Sequence, residues 1–348
     1  MRIVQFEIPG EGRRVGLIDG DSVRDVTSAR PELTHVYDVF RAAQQSDRSF
    51  DEFLADVAGS ENVATISYKS LHEGHPDGDR PFLHPPLDHA DPHFVLITGT
   101  GLTHTGSMQS RDEMHTTDDE EAAKPKTDSA KMFEMGLEGG KPSFGKRGAA
   151  PEWFYKGSGV NLRGHRWSLE KPAFALDGGE EPELVGCYII DEAGTPRRLG
   201  FALGNEWSDH ATEKINYLYL APSKLRTCAV GPELITDFDF NRLSLHCTVG
   251  RNGETIYDSG ELFSGEEFMC HSLVNCEDHH FKYPQHRQPS DVHLHYFGTS
   301  KLSHTSRDWK YQAGDEITVT AENFAAPLVN IVQTGDPELV QPITVKPA

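Results

Sequence analysis

The chain has 348 residues, 36% of them hydrophobic and 25% charged, enough apolar material for one large domain or two smaller ones. Its formal net charge of −21 argues against nucleic acid or an anionic membrane surface as a partner, because both call for a basic face. No apolar run approaches the roughly 18 residues of a membrane helix, and the acidic balance favours solubility and mild halotolerance.

The opening MRIVQFEIPGEGRRVGLIDG shows no charged-then-apolar targeting pattern. Residues 1–26 read as strand and hairpin: RIVQFEI, a turn at PGEGRR, VGLIDG, then SVRDV. VYDVFRAA has helical spacing, and FDEFLADVA reads as a second helix with Ser49 as N-cap and Glu52 three residues on. Residues 71–93, rich in Pro, His and Asp, read as a linker. A small N-terminal α+β domain over 1–90 is therefore expected. FVLITGTG (94–101) reads as a buried strand, and the polar stretch of about 106–150 as a helix plus a lid-like insertion. From 151 the chain is strand-rich, with helices expected at 209–220 and 267–276. Residues 91–348 are thus a mixed β-rich domain, its strands rolled into a barrel or sandwich, and the fold class is α+β.

The five cysteines (Cys187, Cys228, Cys247, Cys270 and Cys276) are odd in number and form no CxxC pair. Each reads as a small buried apolar residue in a reducing cytoplasm. GxxxxGK[ST], HExxH and GxSxG are absent, and GTGLTH places His104 where a dinucleotide fingerprint needs its third glycine.

Three carboxylates stand out. If EPELVGCYII is a strand, Glu181 and Glu183 share a face, and Glu206 ends the apolar run GFALG nearby. Three oxygen donors without soft ligands suit a hard cation: Mg²⁺, Mn²⁺ or Ca²⁺. The alternative is two solvated glutamates at a strand start and one in a turn. Asp291, His293 and His295 alternate on another strand, and with His279 and His280 they suggest a Zn²⁺ or Fe²⁺ site. Against this stands an ordinary half-buried strand. Lys156 in EWFYKGSG and Lys224 before a Gly-Pro turn sit among apolar residues, where an ammonium can anchor a carboxylate or polarise a carbonyl.

ExE on one strand, Asn205-Glu206, a Lys ahead of Gly231-Pro232, and Gly298-Thr299 after a strand together resemble the fumarylacetoacetate hydrolase superfamily. GTGLTHTGSMQSRDEMH, PEWFYKGSG, GGEEPELVG, GFALGNEWSDH, LYLAPSKLRTCAVGPEL, HHFKY and DVHLHYFGT are similar to its AraD1-type branch, associated with 2-keto-3-deoxy pentonate dehydratases. The likeness runs from about residue 90 to the C-terminus and extends to the small leading domain. Three features depart from the superfamily pattern, one being that Lys224 stands closer to Gly231-Pro232 than is usual. The third ligand is Glu206 in place of the usual Asp, and the early histidine falls near Ser107.

The resemblance implies Mg²⁺ held by Glu181, Glu183 and Glu206, and a small 2-keto acid as substrate. C3 loses a proton to give an enolate, the C4 hydroxyl leaves, and tautomerisation yields 2-oxoglutarate semialdehyde. It assigns Lys224 to the enolate charge or the substrate carboxylate. Lys156, Thr299 and Gly298 fall to substrate contact, while the segment leading into the lid offers His104, Ser107, Glu113 and His115 as acid–base candidates and Arg111 for substrate. It also implies a homodimer. The other readings are C–C hydrolysis of an acylpyruvate, oxaloacetate-type decarboxylation, and a non-catalytic sugar-acid-binding protein.

Overall fold

The computed structural model describes residues 1–106 and 127–348. Among the described residues the strands form two sheets, one of twelve strands and one of five. The expected roll is therefore built from two open sheets, neither of which closes into a barrel.

The centre of the large sheet is the strand Pro182–Ile190, in which every residue is buried. It pairs antiparallel with Pro196–Asn205 on one side and with Val292–Tyr296 on the other. A strand with neighbours on both edges and cover on both faces needs a continuous apolar run, which LVGCYII supplies. Its side chains divide by parity. Val185, Cys187 and Ile189 join a core with Val36, Val39 and Phe40 of the helix Val36–Gln45 and Leu54 of Phe50–Ala58. Leu184 joins Leu203, Phe201 and Phe297 against Leu245, Val249, Ile317 and Val319 of the small sheet. The molecule is thus layered as helices, large sheet and small sheet.

The N-terminal hairpin Arg2–Ile8 and Gly12–Asp19 forms as expected. Its first strand pairs with Cys228–Ile235, so one sheet runs from the first residues into the C-terminal part. Ser49 caps the helix Phe50–Ala58 in a full capping box with Glu52. The Pro- and His-rich stretch 71–93 packs down rather than running free: Phe82–His84 adds a strand to Arg2–Ile8 and is buried.

Val95–Gly101 lies parallel to Val292–Tyr296, with Glu152–Ser158 at its outer edge. In that last strand Glu152, Phe154 and Lys156 point inward while Trp153 and Tyr155 point out, the period of two expected of a strand. The described part of the 106–150 insertion carries the helix Asp128–Gly139, capped by Thr127. The stretch after it is anchored to the later helix Leu273–Phe281: Arg147 donates to Asp278 (2.5 and 2.9 Å), and Asn275 accepts from the Gly148 N–H and donates to the Ala149 carbonyl.

Two helix expectations shift. The 209–220 stretch is broken into His210–Ile215, a 3₁₀ turn Tyr217–Tyr219 and Leu220–Lys224. The second helix is Leu273–Phe281, because Ser272 is the residue whose hydroxyl caps it, accepting from the Asn275 N–H. Gly231-Pro232 is not a turn. It lies inside the strand Cys228–Ile235 with a cis peptide bond.

Candidate metal centre and active site

Register brings the three glutamates together. Pro182 pairs with Asn205 and Glu183 with Gly204, so Glu206 emerges beside Glu181, and its N–H donates to the Glu181 carbonyl at 2.9 Å. The Asn205 Oδ1 accepts from the Glu181 N–H at 3.2 Å, locking the junction. One ligand oxygen from each of Glu181, Glu183 and Glu206 lies within 4.8 Å of the others. All three side chains are buried. They line a cavity with Thr100, Phe154, Lys224, Gly298, Thr299 and Leu302.

Two lysines hold this cluster. Lys224, at the end of Leu220–Lys224, places Nζ 2.5 Å from Glu181 Oε1 and 2.8 Å from Glu206 Oε2. Its ammonium also lies 4.7 Å from the centre of the Phe154 ring. Lys156 reaches Glu206 Oε1 at 2.8 Å, and it also donates to the Trp207 carbonyl and, at 3.4 Å, to Ser208. It therefore sits behind Glu206, apart from the side chains that line the cavity. Ser208 adds a hydroxyl to Glu206 Oε1 at 3.1 Å.

Glu183 has neither lysine. Its Oε2 accepts from the Gly298 N–H at 2.7 Å, and it shares the cavity with two other carboxylates. Burial, then Glu206 and Glu181, push its carboxyl well above the ordinary range. Burial acts to raise Glu181 too, but Lys224 and His210 outweigh it and hold that carboxyl below its usual value. Burial and Glu181 raise Glu206 despite both lysines. Glu181 and Glu206 outweigh burial at Lys224 and keep it firmly protonated. Among these five side chains, three carboxylates face two ammonium groups. The excess negative charge favours a cation, and the all-oxygen donor set suits Mg²⁺.

The backbone at Gly298 is built for its task. Its φ of +93° favours glycine, and a Cβ there would lie 2.4 Å from the Thr103 Oγ1. Thr299 follows on the cavity wall, its hydroxyl donating to the Lys301 carbonyl at 3.3 Å.

The structure does not bring His104 to the glutamates. It is fully buried, with Nδ1 2.9 Å from Thr103 Oγ1 and Nε2 3.2 Å from Ser264 Oγ, and it borders a neighbouring cavity with Thr105, Phe263 and Lys301. Burial lowers its pKa to about 4. Ser107, Arg111, Glu113 and His115 lie outside the described residues.

The histidine metal site is corrected. Among the described residues, the glutamate trio is the only group of three or more His, Cys, Asp or Glu side chains whose ligand atoms lie close enough to share an ion. His293 and His295 are buried rather than half-exposed, because the rings of His280, Phe281 and Phe297 cover their face of Val292–Tyr296. Their Nδ1 atoms are committed to His280 Nε2 (2.9 Å) and Thr98 Oγ1 (2.8 Å). His280, His286 and Trp153 complete a ring stack. His279 bonds instead to the Gly148 carbonyl at 3.0 Å.

Sequence reasoning missed His210 and Phe154. Phe154 carries a signal in the inward parity it shares with Lys156. His210 has a weaker one, its place four residues past the third carboxylate in GNEWSDH.

The fold is similar to that of solved fumarylacetoacetate hydrolases and 2-keto-3-deoxy sugar acid dehydratases. A fumarylacetoacetate hydrolase from psychrophilic Exiguobacterium antarcticum superposes with a TM-score of 0.59 at 18% identity, over 96% of this chain and 99% of that one. The likeness is greater to a 2-keto-3-deoxy-D-arabinonate dehydratase complexed with magnesium and 2,5-dioxopentanoate. Its TM-score is 0.68 at 17% identity, covering 96% of this chain and 99% of that one. In sequence the chain is 25% identical over 340 residues to a probable 2-keto-3-deoxyxylonate dehydratase of Haloferax volcanii, spanning 96% of this chain and 100% of that protein. No family model matches the chain.

Proposed function

We propose that the chain is a Mg²⁺-dependent dehydratase of a 2-keto-3-deoxy pentonate, forming 2,5-dioxopentanoate (2-oxoglutarate semialdehyde). The observation that carries this reading is the buried meeting of Glu181, Glu183 and Glu206 on one cavity with Lys224. Similarity in sequence to a dehydratase of this substrate class supports it.

Glu181, Glu183 and Glu206 would hold the ion. When bound, Mg²⁺ supplies Lewis-acid chemistry, acidifying the C3 protons of a chelated 2-keto acid. The protein's own groups do the rest. The Lys224 ammonium lies on the cavity wall, where a developing enolate or the substrate carboxylate meets fixed positive charge. Phe154 and Leu302 form apolar walls that limit water, and Thr299 offers a hydroxyl to substrate. Lys156 and Ser208 hold Glu206 in place from behind. For proton transfer we assign Glu113 and His115, with Ser107 and Arg111 close to them in the chain.

The reading extends to a cytoplasmic homodimer. All five cysteines are free and buried, as a reducing compartment allows. Among the described residues no helix is long and apolar enough to cross a membrane. Leu218, Tyr219, Trp153 and Tyr155 are apolar or aromatic side chains left exposed on the Tyr217–Tyr219 turn and the edge strand Glu152–Ser158, the kind of surface a second copy would cover.

The test is product identification. Purified protein with Mg²⁺ is incubated with racemic 2-keto-3-deoxypentonate and, separately, with an acylpyruvate. Loss of one water from the first, abolished by EDTA, is expected. Pyruvate release from the second without dehydration of the first would replace this reading with C–C hydrolysis.

A further inference from the structure

We propose that His210 is a positioning residue of this site. Its imidazole holds Glu181 through an Nε2–H donor, so that the carboxylate presents its other oxygen to the metal. The inference rests on the Mg²⁺ reading above.

His210 opens the helix His210–Ile215, four residues past Glu206. The helix start is fixed from several sides. Asp209 caps it, accepting from the Thr212 N–H at 3.1 Å, and also accepts from the Leu176 N–H at 3.0 Å. Arg226 lies 3.6 Å from the same carboxylate. The ring is 1% exposed. One side packs on the backbone at Gly179, where a Cβ would stand 2.1 Å from Nδ1. Gly179 is held in turn by Ser208, whose N–H donates to its carbonyl at 2.9 Å. The His304 ring lies 5.5 Å away, centre to centre. The imidazole therefore has one orientation, set by a glycine and a capped helix.

In that orientation Nε2 is 3.1 Å from Glu181 Oε1. Nδ1 is buried and has no hydrogen-bond partner among the described residues. A proton on Nδ1 would be an orphaned buried donor, the rarer and costlier kind of unsatisfied group. The hydrogen-bond network thus assigns the proton to Nε2. Lys224 Nζ approaches the same Oε1 at 2.5 Å. Two donors converge on Oε1, and neither touches Oε2. Partners behind a ligand carboxylate fix its rotation, and their loss characteristically lowers metal affinity by about 10–100-fold.

The test compares wild type, His210→Gln, His210→Leu and Glu183→Gln, all full-length, by titrating Mn²⁺ and reading free Mn²⁺ by electron paramagnetic resonance. Far-UV circular dichroism checks the fold, and kcat and KM are measured at saturating metal. Gln carries an amide N–H close to the Nε2 position; Leu carries none. Leu is expected to weaken Mn²⁺ binding by about tenfold or more, while Gln recovers most of the affinity. With metal saturating, kcat of the Leu variant should approach wild type more closely than its affinity does. Wild-type Mn²⁺ affinity in a folded His210→Leu overturns the inference. So does a folded Gln variant as weak as Leu, since the donor would then not be what matters. If Glu183→Gln binds Mn²⁺ like wild type, the metal reading itself fails, independently of His210.

Discussion

Glu183 is the residue at which function and stability oppose one another. It is buried, faces two further carboxylates and has a backbone N–H but no ammonium beside it. Replacing it with Gln keeps shape and removes the repulsion. With EDTA present, Glu183→Gln is expected to melt about 2 °C or more above wild type, and to bind no Mg²⁺. A lower melting point in EDTA would show that Glu183 is compensated in a way the geometry does not reveal. Lys156 makes the opposite case. It is wholly buried and binds Glu206, the Trp207 carbonyl and Ser208. Breaking a buried pair leaves the partner charge stranded, so Lys156→Met should destabilise the protein by about 3–5 kcal/mol in urea unfolding. A loss under about 1 kcal/mol would place Lys156 in the class of surface pairs. The residue types needed for this chemistry were readable from the sequence. The partners were not, because nothing local says that Lys156 meets Glu206 fifty residues later, or that His210 turns back toward Glu181.

At the scale of elements, period and capping were legible and register was not. The capping box at Ser49 and Glu52 and the alternation of EWFYK follow from neighbours in the chain, and both appear as read. The apparent half-burial of DVHLHY misleads, because both faces of the strand are covered, one by the core holding Val292, Leu294 and Tyr296 and the other by the rings of His280 and Phe297. The 209–220 helix misleads differently: Asn216 leaves the helical region and caps the following turn. What makes the ExE motif a site is the pairing of Pro182 with Asn205 and of Val185 with Tyr296, which delivers Glu206 and Gly298 to one end of the sheet. Gly298 tests this delivery. With φ at +93° and Thr103 Oγ1 2.4 Å from where a Cβ would stand, Gly298→Ala must shift the N–H that holds Glu183. A drop of about tenfold or more in kcat/KM is expected, with Mg²⁺ affinity falling alongside. Unchanged kinetics would mean that the Glu183 contact is dispensable.

The whole molecule carries a belt of buried neutral histidines behind the site. Burial lowers the imidazoles of His293 and His295 to about 3 from their ordinary 6.5, and it pushes His280 well below that ordinary value. These groups bind fewer protons folded than unfolded between those limits. Their contribution to stability is therefore complete above about pH 6.5 and is lost as pH falls toward 3. Each contributes a slope on the order of 1 kcal/mol per pH unit within the window. Urea midpoints should fall steadily from pH 6.5 to 4.5, and His293→Asn should flatten that fall. A midpoint independent of pH in this range would mean the belt is charged in the native state. Mg²⁺ held by the glutamates would, by linkage, raise the melting temperature with the logarithm of its concentration above Kd.

The central claim, that three glutamates hold one divalent ion, is tested most directly by anomalous diffraction from crystals soaked in Mn²⁺. The account predicts one strong peak bounded by Glu181, Glu183 and Glu206, absent in Glu183→Gln. A peak among His280, His293 and His295, or none at the glutamates at saturating Mn²⁺, would contradict it.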